Sequence, residues 1–96
     1  LPEILSATGI STPPAFMPIV GDYYSCMEVT VPVKISCASK TDVEKIMSDY
    51  YEGQPLVKVK ESLDDEGFIA AGRLSGSNTL EIAVEGNDEN ILLIAT

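Results

Sequence analysis

The sequence predicts one α+β domain over residues 1–96: a mixed, mainly antiparallel sheet with one or two helices on one face. Three observations predict it. Residues 27–37 alternate apolar and polar side chains, which is the period of a strand. The stretch after them repeats apolar residues at helical spacing. The rest of the chain holds short runs of strand character parted by turn residues, and that order of strand, helix and further strands belongs to an α+β layered fold. Ninety-six residues suit one such domain, although a chain of this size buries only roughly 60–65% of its unfolded surface and has a thin core.

At the start, Leu1, Ile4 and Leu5 share one helical face. Pro2 is tolerated in the first turn, Gly9 stops the helix, and Pro13-Pro14 enforce an extended connection. Residues 15–21, "AFMPIVG", have strand character, but Pro18 confines them to an edge or an irregular segment. In the long alternating stretch Met27, Val29, Val31, Val33, Ile35 and Cys37 face one way. Pro32 lacks an N–H and predicts an edge or a bulge. Thr41-Asp42-Val43-Glu44 fits a capping box. Val43, Ile46, Met47 and Tyr50 make a core-facing stripe, ended by Gly53 and Pro55.

Residues 56–60 alternate as a short strand, and an acidic loop, "ESLDDEG", comes next. "FIAAGRL" reads as a further strand and "SGSN" as a turn. Residues 79–85 form a strand with Leu80, Ile82 and Val84 on one face. "EGNDEN" is a turn, and residues 91–95 are a strand without clean alternation, expected to be covered on both faces.

The net charge is −9, with six Lys and Arg against fifteen Asp and Glu. Nucleic acid and anionic membrane surfaces need a basic patch, so neither is an expected partner. No apolar run approaches the roughly 18–20 residues of a membrane span. Cys26 and Cys37 flank a stretch read as one strand. At about 3.3 Å per residue it holds them beyond disulfide reach, so both are expected as free thiols, in keeping with a reducing cytosol.

The chain has no histidine, so the commonest general base and metal ligand is missing. A Cys–His pair within these residues is therefore impossible. Cys37 reads as a small core residue among the valines, and Cys26, beside Tyr23, Tyr24 and Ser25, as exposed. Glu61, Asp64, Asp65 and Glu66 lack the spacing of a calcium loop and read as a solvated acidic loop. "GRLSGSN" has neither a P-loop lysine nor a dinucleotide fingerprint. Tyr23-Tyr24 and Tyr50-Tyr51 suit core-edge or interface packing. From residue chemistry alone the domain has no catalytic centre, cofactor site or metal site of its own.

Four phrases in order carry a resemblance. "LPEI" resembles the H-x-P-E-I phrase of N-acetyl-gamma-glutamyl-phosphate reductases, the NADPH-dependent enzymes of arginine biosynthesis. "FMPIVGDYYSCMEVTVPVK" resembles the next stretch of short and fungal-type members. "DVEKIMSDYYEGQPLVKV" is similar to the family's helix and next strand, and "SGSNTLEIAVEGNDENILLIAT" to its G-S/T-N strand and final sheet strand. The resemblance spans essentially the whole chain.

It implies the C-terminal substrate and dimerisation domain of such a reductase, with a fold like that of glyceraldehyde-3-phosphate and aspartate-semialdehyde dehydrogenases. It further implies a parent chain whose NADP-binding Rossmann domain carries the nucleophilic cysteine and is absent here. The catalytic histidine of the family falls just before Leu1, so the chain reads as trimmed at both domain boundaries and inactive by itself.

On this reading Pro2 and Glu3 are adjacent to the active site. Met27, Val29, Val31 and Val33 are the candidate dimer interface, on an open sheet face through which the domain homo-oligomerises. N-acetyl-glutamyl phosphate and NADP belong to the parent enzyme, and the expected location is the cytoplasm, or an organelle in a eukaryote. Two positions depart from the family: Ile19, where many relatives have His, and Cys26, where relatives usually have Gly. The alternatives are a free-standing module that binds a small metabolite or regulates, and an aspartate-semialdehyde dehydrogenase domain, which "LPEI" and "GSN" fit less well.

Overall fold

The computed structural model describes residues 2–64, 66–70 and 72–96. Leu1, Asp65 and Ala71, assigned above to the first helix, the acidic loop and the "FIAAGRL" run, lie outside the described residues. In chain order the elements are α1 (Pro2–Thr8), β1 (Val29–Lys34), α2 (Lys40–Tyr50), β2 (Val57–Lys60), β3 (Leu80–Gly86) and β4 (Asn90–Ala95). The four strands form one sheet in the order β1-β4-β3-β2. β1 and β3 each run antiparallel to β4, and β2 runs parallel to β3. This is the expected α+β architecture, with Pro32 on an edge strand.

The hairpin β3–β4 occupies the centre. Its turn depends on Gly86, whose φ of 97° falls in the left-handed region and whose missing Cβ leaves room for the Asn90 carbonyl. The Asn87 side chain accepts from the backbone N–H of Glu89 and of Asn90, each at 3.0 Å. Asp88, at the tip, accepts from the Lys40 N–H at 2.8 Å and thereby ties the start of α2 to the hairpin.

The cap of α2 lies two residues earlier than expected. Ser39 is the N-cap, and its hydroxyl accepts from the Asp42 N–H at 3.1 Å. The Asp42 carboxylate reaches back to the Ser39 N–H at 2.8 Å. The box is therefore Ser39–Asp42 and not Thr41–Glu44. Glu44 instead pairs with Lys40 at 3.2 Å. The inward side of α2 is carried by the half-buried Val43, Met47 and, just past its end, Tyr51, whereas Ile46 and Tyr50 are exposed. The expected stripe was correct in period and rotated too far around the helix.

The strand register sorts the sheet into two faces. Val57, Val59, Leu80, Ile82, Val84, Ile91, Leu93, Ala95 and the β1 valines share one. α2 packs against β3 and β2, and beneath it Ile82, Val84 and Ile91 are buried. On the other face Ala83 and Ile94 pack with Leu63, and Ile69 closes the cluster. Both Leu63 and Ile69 come from the 61–79 connection, which crosses that face. Glu85 anchors it, accepting from the Ser62 hydroxyl at 2.7 Å and the Leu63 N–H at 3.2 Å. The second face is therefore covered by a connection over its centre, at Ala83 and Ile94, and stays exposed at Thr30, Pro32, Leu92, Lys58 and Lys60. Burial of Ile91 and Ile94 on opposite faces agrees with the expectation for β4.

Three runs of strand character are not strands. Residues 15–21 are irregular and exposed; Pro18 removes a ladder donor, and the run pairs with neither free edge of the sheet. "FIAAGRL" enters a series of turns, with Ser75 N–H bonded to Gly72 and Ser77 N–H to Leu74. The long alternating stretch pairs only over Val29–Lys34, so Met27, Ile35 and Cys37 fall outside the strand. Cys37 is consequently exposed and is not a core residue, while Cys26 is half-buried. Both thiols are free. The radius of gyration is 14.6 Å, against about 12.5 Å for a compact domain of this length. Residues 9–28 form an irregular arm that carries almost no burial.

Leu63→Ala is expected to lower the unfolding free energy by about 2–5 kcal/mol, because it opens a cavity between sheet and connection; urea unfolding measures it. The Asp42 carboxyl is held below its ordinary value near 3.8, first by the backbone and then by the side-chain hydrogen bond of Ser39. A depressed folded value means stability that is present above pH 3.8 and lost as pH falls through the lowered value. Asp42→Asn should flatten that acid limb in thermal melts between pH 5 and 2, taken as roughly the range over which an Asp titrates.

Candidate functional site

The residues that resemblance placed beside an active site lie in α1. Pro2 opens the helix and Glu3 stands in its first turn, where a carboxylate suits the positive end of the dipole. Both side chains are exposed. Gly9 ends the helix, its N–H bonding the Leu5 carbonyl at 2.9 Å. α1 makes no substantial packing with the sheet among the described residues, so Pro2 and Glu3 are presented outward.

The second candidate surface is the β1 margin. Val29, Val31 and Val33 pair with Ala95, Leu93 and Ile91, which places them on the face that α2 covers over β2 and β3. The helix does not extend across β1. Val29 is 44% exposed and Val31 46%, with Met27 beyond them at 72%, while Val33 is half-buried. The arm that leads into β1 adds Phe16, Met17, Ile19, Val20, Tyr23 and Tyr24, all exposed. Apolar surface of this extent on a small domain marks an interface. The four residues expected at an interface are thus brought together as one uncovered strip, although Met27 lies outside the strand.

Cys26 closes the arm with a φ of 127°. That conformation favours glycine and strains a residue with a Cβ. The resemblance implies that relatives usually have glycine at this position, a residue to which this φ comes without strain. The neighbouring Ser25 hydroxyl bonds that of Ser75 at 2.7 Å, pinning the end of the arm to the turns of the 61–79 connection.

Sequence reading missed a buried ion pair. Glu81, on central strand β3, keeps only 10% of its side chain exposed, and its Oε2 lies 2.8 Å from a guanidinium nitrogen of Arg73, itself 30% exposed. The contact is ionic without the alignment of a hydrogen bond, so Oε2 makes no directional bond. No periodicity reveals such a pair; the one signal was a lone arginine in an acidic chain. It fastens the turn-rich end of the connection to the sheet.

Among the described residues no three Cys, Asp or Glu side chains converge as metal ligands. No helix among them is long and apolar enough to cross a membrane. The turn from β1 into α2 has no glycine, and the donors at that helix start are taken by Asp88 and the Ser39 hydroxyl. These residues do not fit a dinucleotide pyrophosphate, which needs free N–H groups at a glycine-lined helix start.

Comparison with known proteins supplies what geometry leaves general. The family model described as "Semialdehyde dehydrogenase, dimerisation domain" matches residues 1–96. N-acetyl-gamma-glutamyl-phosphate reductase 2 of Nostoc sp. (strain PCC 7120) is 30% identical over 97% of this chain and 32% of its own length. N-acetyl-gamma-glutamyl-phosphate reductase of Trichormus variabilis is 29% identical over the same shares. The chain therefore spans about a third of the length of the curated relatives it matches. No solved structure matches it significantly.

Arg73→Ala should lower stability by about 3 kcal/mol, because it strands a buried carboxylate, whereas Arg73→Met with Glu81→Leu should cost much less; guanidinium unfolding of both variants tests this. Cys26→Gly should raise stability by about 1 kcal/mol through relief of the positive φ. An unchanged melting temperature would show that the arm relaxes freely.

Proposed function

The chain belongs to the semialdehyde dehydrogenase dimerisation-domain family, and from that premise we propose that it is the substrate and dimerisation domain of an NADP-dependent N-acetyl-gamma-glutamyl-phosphate reductase. The observation that carries this reading is the similarity to two such reductases along 97% of the chain. The uncovered strip at β1 supports the dimerisation half of it.

The chemistry implied is reduction of an acyl phosphate. A thiolate attacks the acyl carbon and phosphate leaves; hydride transfer to the resulting acyl group then releases the aldehyde. The nicotinamide cofactor supplies that hydride and is held elsewhere in the longer protein, as are the nucleophile and its base. This domain contributes position. It presents Pro2 and Glu3 toward the active site and holds two copies in register through Met27, Val29, Val31 and Val33. By itself it is inactive. Such an enzyme works in the cytoplasm.

The test is an assay of the longest natural protein carrying these residues, with N-acetyl-glutamyl phosphate and NADPH. Turnover supports the reading. Turnover of aspartyl phosphate instead would assign the aspartate-semialdehyde branch, and saturable metabolite binding by a 96-residue natural product would assign a free-standing module. For the interface, Val31→Lys should raise the dimer dissociation constant by roughly tenfold or more, since a twofold contact would set like charges together in apolar surroundings. Sedimentation equilibrium reads the effect, and an unchanged constant would move the interface away from β1.

A further inference from the structure

The opposite margin of the sheet has a different character. β2 is an edge strand, paired on one side only, with β3. The Leu80 N–H donates to the Leu56 carbonyl at 2.8 Å. Alternation along a parallel ladder then turns the backbone groups of Lys58 and Lys60 toward β3, and those of Val57 and Val59 outward. Beside this outer edge runs an open groove of about 390 Å³, walled by the end of α2 and the residues after it: Ser48, Tyr51, Glu52 and Gln54. β2 is about 13 Å long at the usual rise, room for a strand of four or five residues.

Charge narrows the occupant. The chain has six basic residues. Lys40, Lys45 and Arg73 are held in ion pairs. Lys34, on the far edge strand, and Lys58 and Lys60 form none among the described residues, and only the last two stand together beside the groove. Their side chains stand on one face of β2 and the half-buried Val57 and Val59 on the other. Glu52 is the charged group on the helix side of the groove.

We infer that the groove between β2 and α2 receives an extended acidic peptide segment, which adds to the sheet as a fifth strand. Its backbone bonds the outward groups of Val57 and Val59. Alternate carboxylates meet Lys58 and Lys60, and the intervening apolar residues lie toward Tyr51. Strand addition into a groove between an edge strand and a helix is an established mode of peptide capture. The inference is independent of the reductase reading, which concerns the β1 margin.

The test uses the full chain and a fluorescein-labelled peptide in which glutamate alternates with valine. Anisotropy should show saturable binding that weakens with salt. Lys58→Glu with Lys60→Glu should weaken it by roughly tenfold, as expected for two exposed cross-strand charge pairs reversed. Val59→Pro should abolish binding with little change in melting temperature, because it removes an outward N–H and no ladder bond. Should that variant unfold, hydrogen exchange on the unmodified chain decides: the peptide should protect the amides of Val57 and Val59 and leave those of Lys58 and Lys60 nearly unchanged.

Equal binding of a lysine–valine peptide, or no new protection at Val57 and Val59, would overturn the inference. The two lysines would then be guards against edge pairing. Protection of the same amides by self-association without peptide would also overturn it, giving the edge to a second copy.

Discussion

The β3–β4 hairpin is the constraint on which the rest depends. Its two strands are the only ones paired on both sides in the sheet order, and they supply nearly all of the buried residues. Each remaining piece is attached to it by a different kind of bond. The helix is tied by one carboxylate at the hairpin tip, Asp88 on the Lys40 N–H. The long connection is tied by Glu85, by the Glu81–Arg73 pair and by Leu63. The edge strands are attached through their ladders. Three acidic residues of the hairpin therefore act as structural fasteners, which accounts for part of the acidic excess that composition alone assigns to solubility.

What was legible in the sequence is what short-range chemistry dictates. The period of two identified β1, β2 and β3 because each pairs along its own alternation, whereas β4 was marked by an unbroken apolar run after a turn. Glycine and asparagine marked the hairpin turn, Gly86 through its positive φ and Asn87 through the two backbone N–H groups its side chain accepts from. The helix cap shows where local reading fails. "SKTD" and "TDVE" are overlapping frames of the same motif, and nothing within either decides between them. The earlier frame is favoured by Asp88, forty-eight residues from Lys40, which accepts from the Lys40 N–H at the first helical position. The misread strands fail for a different reason: "AFMPIVG" has the composition of a strand, but Pro18 interrupts its donors and it joins neither open edge of the sheet.

The candidate surfaces were legible in the same partial way. Alternation placed Val29, Val31 and Val33 on one face. They were expected on an open face; they lie instead on the face that carries α2, and are exposed at Val29 and Val31 because the helix stops short of β1, a tertiary fact. The arm and this strip carry many exposed large apolar residues, whereas the buried apolar core is small. A fold with so thin an interior gains much of its order from association, which agrees with membership of a dimerisation-domain family.

The pairing of β1 with β4 carries a consequence for how the molecule is made. Val29 pairs with Ala95 and Lys34 with Asn90, so the strand that is synthesised first must wait for the one synthesised last. At about 5–20 residues per second, the ribosome needs several seconds to deliver β4 after β1 has emerged. Throughout that interval the valine strip and the apolar arm are exposed on a nascent chain that has no sheet to join. The order of translation thus leaves the β1 strip without its ladder partner until β4 has been made.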